Sequence, residues 1–256
     1  LKVNNNAVNG AITATTTGPK MAYDIGGLLG YTYLEYTDSS INENEVTGTV
    51  TATTANFPAS SLAGVIGELD NYGGTNQAAR NIFSGSIAVQ AKGTYYDEYV
   101  GGIIGYFYGS DGGQSLIKNN FNFGDIESQS YISDWVGGVI GYAYTDNYDL
   151  TVTENLNEGD VVATNDTSTD CYGGVIGNFD NLNTPGGGNE VIISRNINRG
   201  NVTALYWVGG LIGCMDEAKL EDNYNAGNVT AQGDTYNGAE SVGGLVGFFD
   251  TFSLSG

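Results

Sequence analysis

The sequence predicts an all-β fold, a parallel β-solenoid of seven coils with about three short strands in each. Two interleaved motifs and the residue composition carry that expectation. The first motif is Ile25-Gly-Gly-Leu-Leu-Gly30, which recurs as Leu62-Ala-Gly-Val-Ile-Gly67, Val100-Gly-Gly-Ile-Ile-Gly105 and Val136-Gly-Gly-Val-Ile-Gly141. It returns as Tyr172-Gly-Gly-Val-Ile-Gly177, Val208-Gly-Gly-Leu-Ile-Gly213 and Val242-Gly-Gly-Leu-Val-Gly247. The second glycine of each pair, the marker glycine of its repeat, falls at 27, 64, 102, 138, 174, 210 and 244, so the period is close to 36 residues.

The second motif is N-x-x-x-G-x-[IV]. Its asparagines are Asn6, Asn44, Asn81, Asn120, Asn155, Asn196 and Asn223, and its glycines are Gly10, Gly48, Gly85, Gly124, Gly159, Gly200 and Gly227. Two residues beyond each glycine stands Ile12, Val50, Ile87, Ile126, Val161, Val202 or Val229. A unit this short cannot bury its own apolar face, so its neighbours must stack to form one continuous core.

Composition agrees. There are 40 Gly but only 3 Pro, which excludes collagen-like and proline-rich disordered classes, and 18 Tyr favour strands. The period-2 patterns around each motif also suit strands rather than helices. A third apolar column lies seven residues before each motif glycine: Val3, Ile41, Ala78, Ile117, Val152, Ile193 and Leu220. Stacked ~4.8 Å apart, seven coils make one domain over residues 1–256 with a core roughly 34 Å long. Insertions such as 184–189 fall between motifs, where solenoid loops absorb them.

Each element of the motifs has a physical reason. An inward asparagine can donate its amide to one neighbouring coil and accept from the other, so a ladder satisfies polar groups that a single buried Asn would leave unpaired. The glycine after it supplies either a positive φ or a close backbone approach. The two consecutive apolar residues of the glycine-pair motif, such as Ile103 and Ile104, should face opposite sides of a strand. One column then lines the core, and the other needs a covering layer or forms an apolar interface stripe.

The glycine-pair string is similar to the GLUG motif, a short repeat of bacterial surface proteins that include haemagglutinin-like adhesins and secreted IgA-cleaving metallopeptidases. Its seven copies span nearly the whole chain, and only the second departs from the pattern, with Ala63 for the first glycine. The resemblance implies a secreted or cell-surface structural and adhesive module, with a surface glycan or protein receptor as partner. Peptidase activity does not carry over, because the chain has no His and hence no H-E-x-x-H zinc site.

Charge and chemistry narrow the function further. A net charge of −21, from 29 acidic and 8 basic residues, repels nucleic-acid phosphates and anionic lipid. No apolar run approaches the ~18 residues of a membrane span. The absence of His also removes Ser-His-Asp, Cys-His and His-metal chemistry. A carboxylate-dependent glycan-cleaving or glycan-binding β-helix is the alternative to a scaffold that is not an enzyme. Glu98, Asp134 and Asp170 stand four residues before the marker glycine in three consecutive coils, a column that could hold Ca²⁺ with help from Asp97. No other cofactor is expected. Tyr99, Trp135 and Trp207 share one position three residues before the marker, as a sugar-binding platform or as packing pairs. The column Thr13, Thr51, Ala88, Glu127, Val162, Thr203, Thr230 is too interrupted for an ice-matching face.

Two cysteines are too few for a disulfide scaffold. Cys171 aligns with Trp135 and Cys214 with Tyr142, seven positions apart along a strand, so both are expected as free thiols. The chain starts without Met or a signal peptide and reads as a mature or excised segment. Its ends suggest a phase. Twelve residues follow Gly244 and Gly10 is the tenth residue, so a second copy placed head to tail would continue the spacing of most internal repeats. Uncapped ends of this kind point to a longer array or to end-to-end self-association.

Overall fold

The computed structural model describes residues 1–17, 21–55, 59–91, 98–129, 134–163, 171–182, 188–233 and 241–250. The first coil contains β1 (Lys2–Asn4), β2 (Ala7–Val8), β3 (Ile12–Thr16), β4 (Ala22–Gly26) and β5 (Leu29–Glu35). Every later coil repeats this set of five. Equivalent strands join side by side into five seven-stranded sheets, here A to E after β1 to β5. All pairings are parallel and each runs between adjacent coils, as a solenoid requires.

The repeat columns are register columns. Val3, Ile41, Ala78, Ile117, Val152, Ile193 and Leu220 pair successively in sheet A. Ile12, Val50, Ile87, Ile126, Val161, Val202 and Val229 do the same in sheet C. The inner coils bury these side chains in one apolar cluster.

Five strands form where the sequence suggests about three. One extra strand is the two-residue sheet B segment that follows the ladder asparagine. The other arises because the glycine pair bends the chain and splits the motif into a sheet D strand and a sheet E strand. That bend also removes the expected apolar stripe. Ile103 sits in the bend and Ile104 opens the next strand, so both turn inward and both are fully buried. The same holds for Val65 and Ile66, and for Val139 and Ile140.

Close approach, not positive φ, explains the motif glycines. At Gly102 an added Cβ would collide with the Gly138 carbonyl of the next coil, and at Gly105 with the backbone of Leu62 in the preceding coil. Gly48, Gly85, Gly124, Gly159, Gly200 and Gly227 each press on the equivalent glycine carbonyl below. Positive φ is found instead one residue before every ladder asparagine. Asn5, Glu43, Arg80, Asn119, Glu154, Arg195 and Asp222 all lie between 52° and 60°. This left-handed turn is costly for Glu and Arg, and it aims each following asparagine along the stack.

The asparagine ladder is continuous. The Asn81 amide nitrogen donates to Asn120 Oδ1 at 3.0 Å and to the Ile41 carbonyl at 2.8 Å, and the Asn81 backbone N–H also donates to Asn120 Oδ1. The same links run from Asn6 to Asn223. A second ladder, Asn122, Asn157, Asn198 and Asn225, stands two residues further on in the last four coils, with steps of 2.7–2.9 Å. The N-x-N-x-G spacing of those coils announces it.

Candidate functional site

The bend at the glycine pair folds the sheet D and sheet E strands over one another and creates a seam along the rod. Three residues before the marker glycine, in sheet D or just ahead of its strands, stand Asp24, Ser61, Tyr99, Trp135, Cys171, Trp207 and Ser241. Four residues after it, sheet E contributes Tyr31, Glu68, Tyr106, Tyr142, Asn178, Cys214 and Phe248. These two columns face each other. A separation of seven residues, which is distant along a straight strand, becomes direct contact across the bend: the Tyr99 and Tyr106 rings are 5.1 Å apart, and those of Trp135 and Tyr142 are 4.3 Å apart.

This geometry overturns the expectation of free thiols. Cys171 of the fifth coil and Cys214 of the sixth are bonded as a disulfide, with Cα atoms 5.3 Å apart. The motif is two strands joined by a bend, Cys171–Gly173 and Ile176–Asn181 in the fifth coil, and not one straight strand, so seven positions along the chain do not keep the two columns apart. The bridge takes the place that Tyr99 and Tyr142 fill with rings 5.1 Å apart two coils earlier.

The seam changes character along its length. In the first two coils it is acidic: Ser61 donates to Glu68 Oε2 at 3.0 Å, and the Tyr31 hydroxyl donates to Asp70 Oδ2 at 3.0 Å. Burial, a hydrogen bond to Asp24 and the charges of Asp24 and Asp70 push the Glu68 carboxyl up to about 8. In the middle it is aromatic. Burial first, then Asp180, which accepts a 2.7 Å hydrogen bond from the Tyr142 hydroxyl, pushes that phenol well above its usual range.

Of the expected aromatic set, Tyr99 and Trp135 stack at 5.2 Å and 21°, as one platform. Trp207 is separated from them by the Cys171 coil and stacks instead on Phe248 at 4.9 Å. Of the expected cation column, Glu98 and Asp134 are register neighbours, while Asp170 and Asp97 lie outside the described residues. Glu98 is fully buried, and its Oε1 accepts the Ala59 backbone N–H at 2.9 Å, tying the third coil to the second. Among the described residues no group of three or more Asp, Glu, Cys or His side chains is placed to hold a metal ion.

A cleft of about 250 Å³ opens in the seam where the rings give way to Cys171, Asn178 and Cys214. Trp135 and Trp207 stand at its two ends, and Asp180, Asp216 and Asp250 line its side. Sequence columns show these residues singly, but only the bend brings the two columns face to face.

The chain matches no family model, no curated protein and no solved structure.

Proposed function

We propose that this chain is an extracellular structural and adhesive repeat module whose subunits stack head to tail into a fibre. One observation carries the reading. Among the described residues, Gly10 and Gly244 are the only motif glycines at which a Cβ would meet nothing within 4 Å, because they face outward from the first and last described coils. Everywhere else in the rod the equivalent glycine is required by a neighbouring coil. A glycine retained where the described coils make no demand on it fits a site that a further coil occupies, here assigned to a second copy.

The end coils support the same reading. Leu220, Val242 and Leu245 are 38 %, 49 % and 45 % exposed, whereas their counterparts Ile193, Val208 and Leu211 are almost wholly buried. Both ends carry the same cross-section in the same chain direction, so one copy's last coil is complementary to another's first. Such contacts are heterologous and do not close. The resemblance to GLUG-type repeats of surface adhesins and the Cys171–Cys214 disulfide, a bond at home in oxidising compartments, support a secreted or cell-surface location. Light scattering on a concentration series is the test: mass rising in whole-subunit steps is expected, and a constant monomer mass would remove the reading.

A further inference from the structure

The seam cleft has the dimensions and charge of a binding slot. The stacking of Tyr99 on Trp135 and of Phe248 on Trp207 sets these rings across the rod axis. Each tryptophan therefore covers a neighbour with one face and turns the other toward the Cys171 coil between them. Register places Trp135 and Trp207 two coil steps apart, about 9.6 Å. A group centred between them lies about 4.8 Å from both rings, inside the ~6 Å range of cation–π attraction. The disulfide occupies the seam position where a ring pair would otherwise close this space.

The polar side of the slot is acidic. Asp180, Asp216 and Asp250 follow the register partners Phe179, Met215 and Phe249, so they stack in one column at the end of the sheet E strands. Burial and then the charges of Asp180 and Asp250 hold the Asp216 carboxyl above its usual range, the mark of a site short of positive charge. Among the described residues no Lys or Arg lines the cleft.

We propose that this slot binds a single alkylated ammonium group, held between the facing rings of Trp135 and Trp207 with Asp180 and Asp216 beside it. Two aromatic faces and a carboxylate suit a desolvated organic cation better than a neutral sugar, because both elements act on the charge. The group could be carried by a choline-type headgroup or by a methylated lysine side chain, and the chemistry that recognises it is shared. The slot lies along the side of the rod and functions in a single subunit, independently of stacking.

The chain's two tryptophans are the two walls, so tryptophan fluorescence, excited selectively at the red edge where the 18 tyrosines do not absorb, reports on this slot. Tetramethylammonium should quench it saturably, and the neutral choline isostere 3,3-dimethylbutanol should bind at least about tenfold more weakly. Phosphocholine and a trimethyllysine peptide, titrated in parallel, identify the carrier by the tighter response. Asp216→Asn, nearly isosteric, should weaken the ammonium response about tenfold with an unchanged melting temperature, while Trp207→Phe should retain binding. The proposal is overturned if no cation saturates the signal, if glucose or the neutral isostere binds as well as the cation, or if Asp216→Asn binds as the parent does.

Discussion

Cys171 and Cys214 join the fifth coil to the sixth at a seam position where Tyr99 and Tyr142 hold the third to the fourth through their rings. A covalent link and an aromatic pair thus fill equivalent places in one stack. The bridge closes a loop of 43 residues, worth about 4 kcal/mol on a chain-entropy basis. Replacing both cysteines by Ser should lower the unfolding free energy by about 2–4 kcal/mol in denaturant titrations while leaving the circular dichroism of the native state intact. Intact-mass analysis without reductant should show no free thiol.

The ladder makes the cost of losing an asparagine depend on its coil. Asn120→Ala leaves the Asn81 N–H and amide without their acceptor and the Ala78 carbonyl without its donor, all in the buried interior. The expected loss is about 3 kcal/mol or more, against well under ~1 kcal/mol for Asn6→Ala at the exposed first rung. Equal losses at the two sites would contradict a continuous internal ladder.

Glu98 offers a parallel case. Its removal in Glu98→Ala leaves the buried Ala59 N–H unpaired, and a loss of about 1–3 kcal/mol is expected. The measurement is chemical denaturation, with or without calcium. A calcium-dependent melting temperature lost in this variant would instead assign Glu98 to a cation site.

The acidic end of the seam gives a pH dependence. Because burial and Asp24 raise the folded Glu68 carboxyl to about 8, above its ordinary value near 4.5, the folded state holds a proton that the unfolded state releases. Stability from this group is therefore full below about 4.5 and falls as pH rises toward 8. Glu68→Gln should flatten the melting temperature across that interval and raise it at the alkaline end. An unchanged slope would show that Glu68 ionises normally.

Much of the rod was legible in the sequence. Seven copies of Asn at one spacing, and of a β-branched residue six positions later, define columns that stand in register from Asn6 to Val229. What stayed hidden has one physical cause, the bend at the glycine pair. Periodicity places Cys171 and Cys214 correctly within their columns but does not reveal that the chain doubles back between Gly173 and Ile176. The disulfide, the Trp135–Tyr142 contact and the slot all follow from that reversal. Left-handed φ at Glu43, Arg80, Glu154 and Arg195 was hidden for another reason: these residue types do not favour that conformation, and only the ladder beyond them holds it. The second ladder, by contrast, is written in the sequence as Asn122, Asn157, Asn198 and Asn225, each two residues beyond a rung of the first.

End-to-end stacking is tested most directly at Gly244. A side chain there meets nothing within 4 Å among the described residues, yet in a stacked rod it points at the coil that follows, as Gly210 points at the Gly244 carbonyl. Gly244→Val should leave the melting temperature of dilute protein unchanged and, in negative-stain electron micrographs at high concentration, replace fibres one coil wide with single short rods. Fibres formed equally by Gly244→Val, or short rods alone from the parent chain at every concentration, would contradict it.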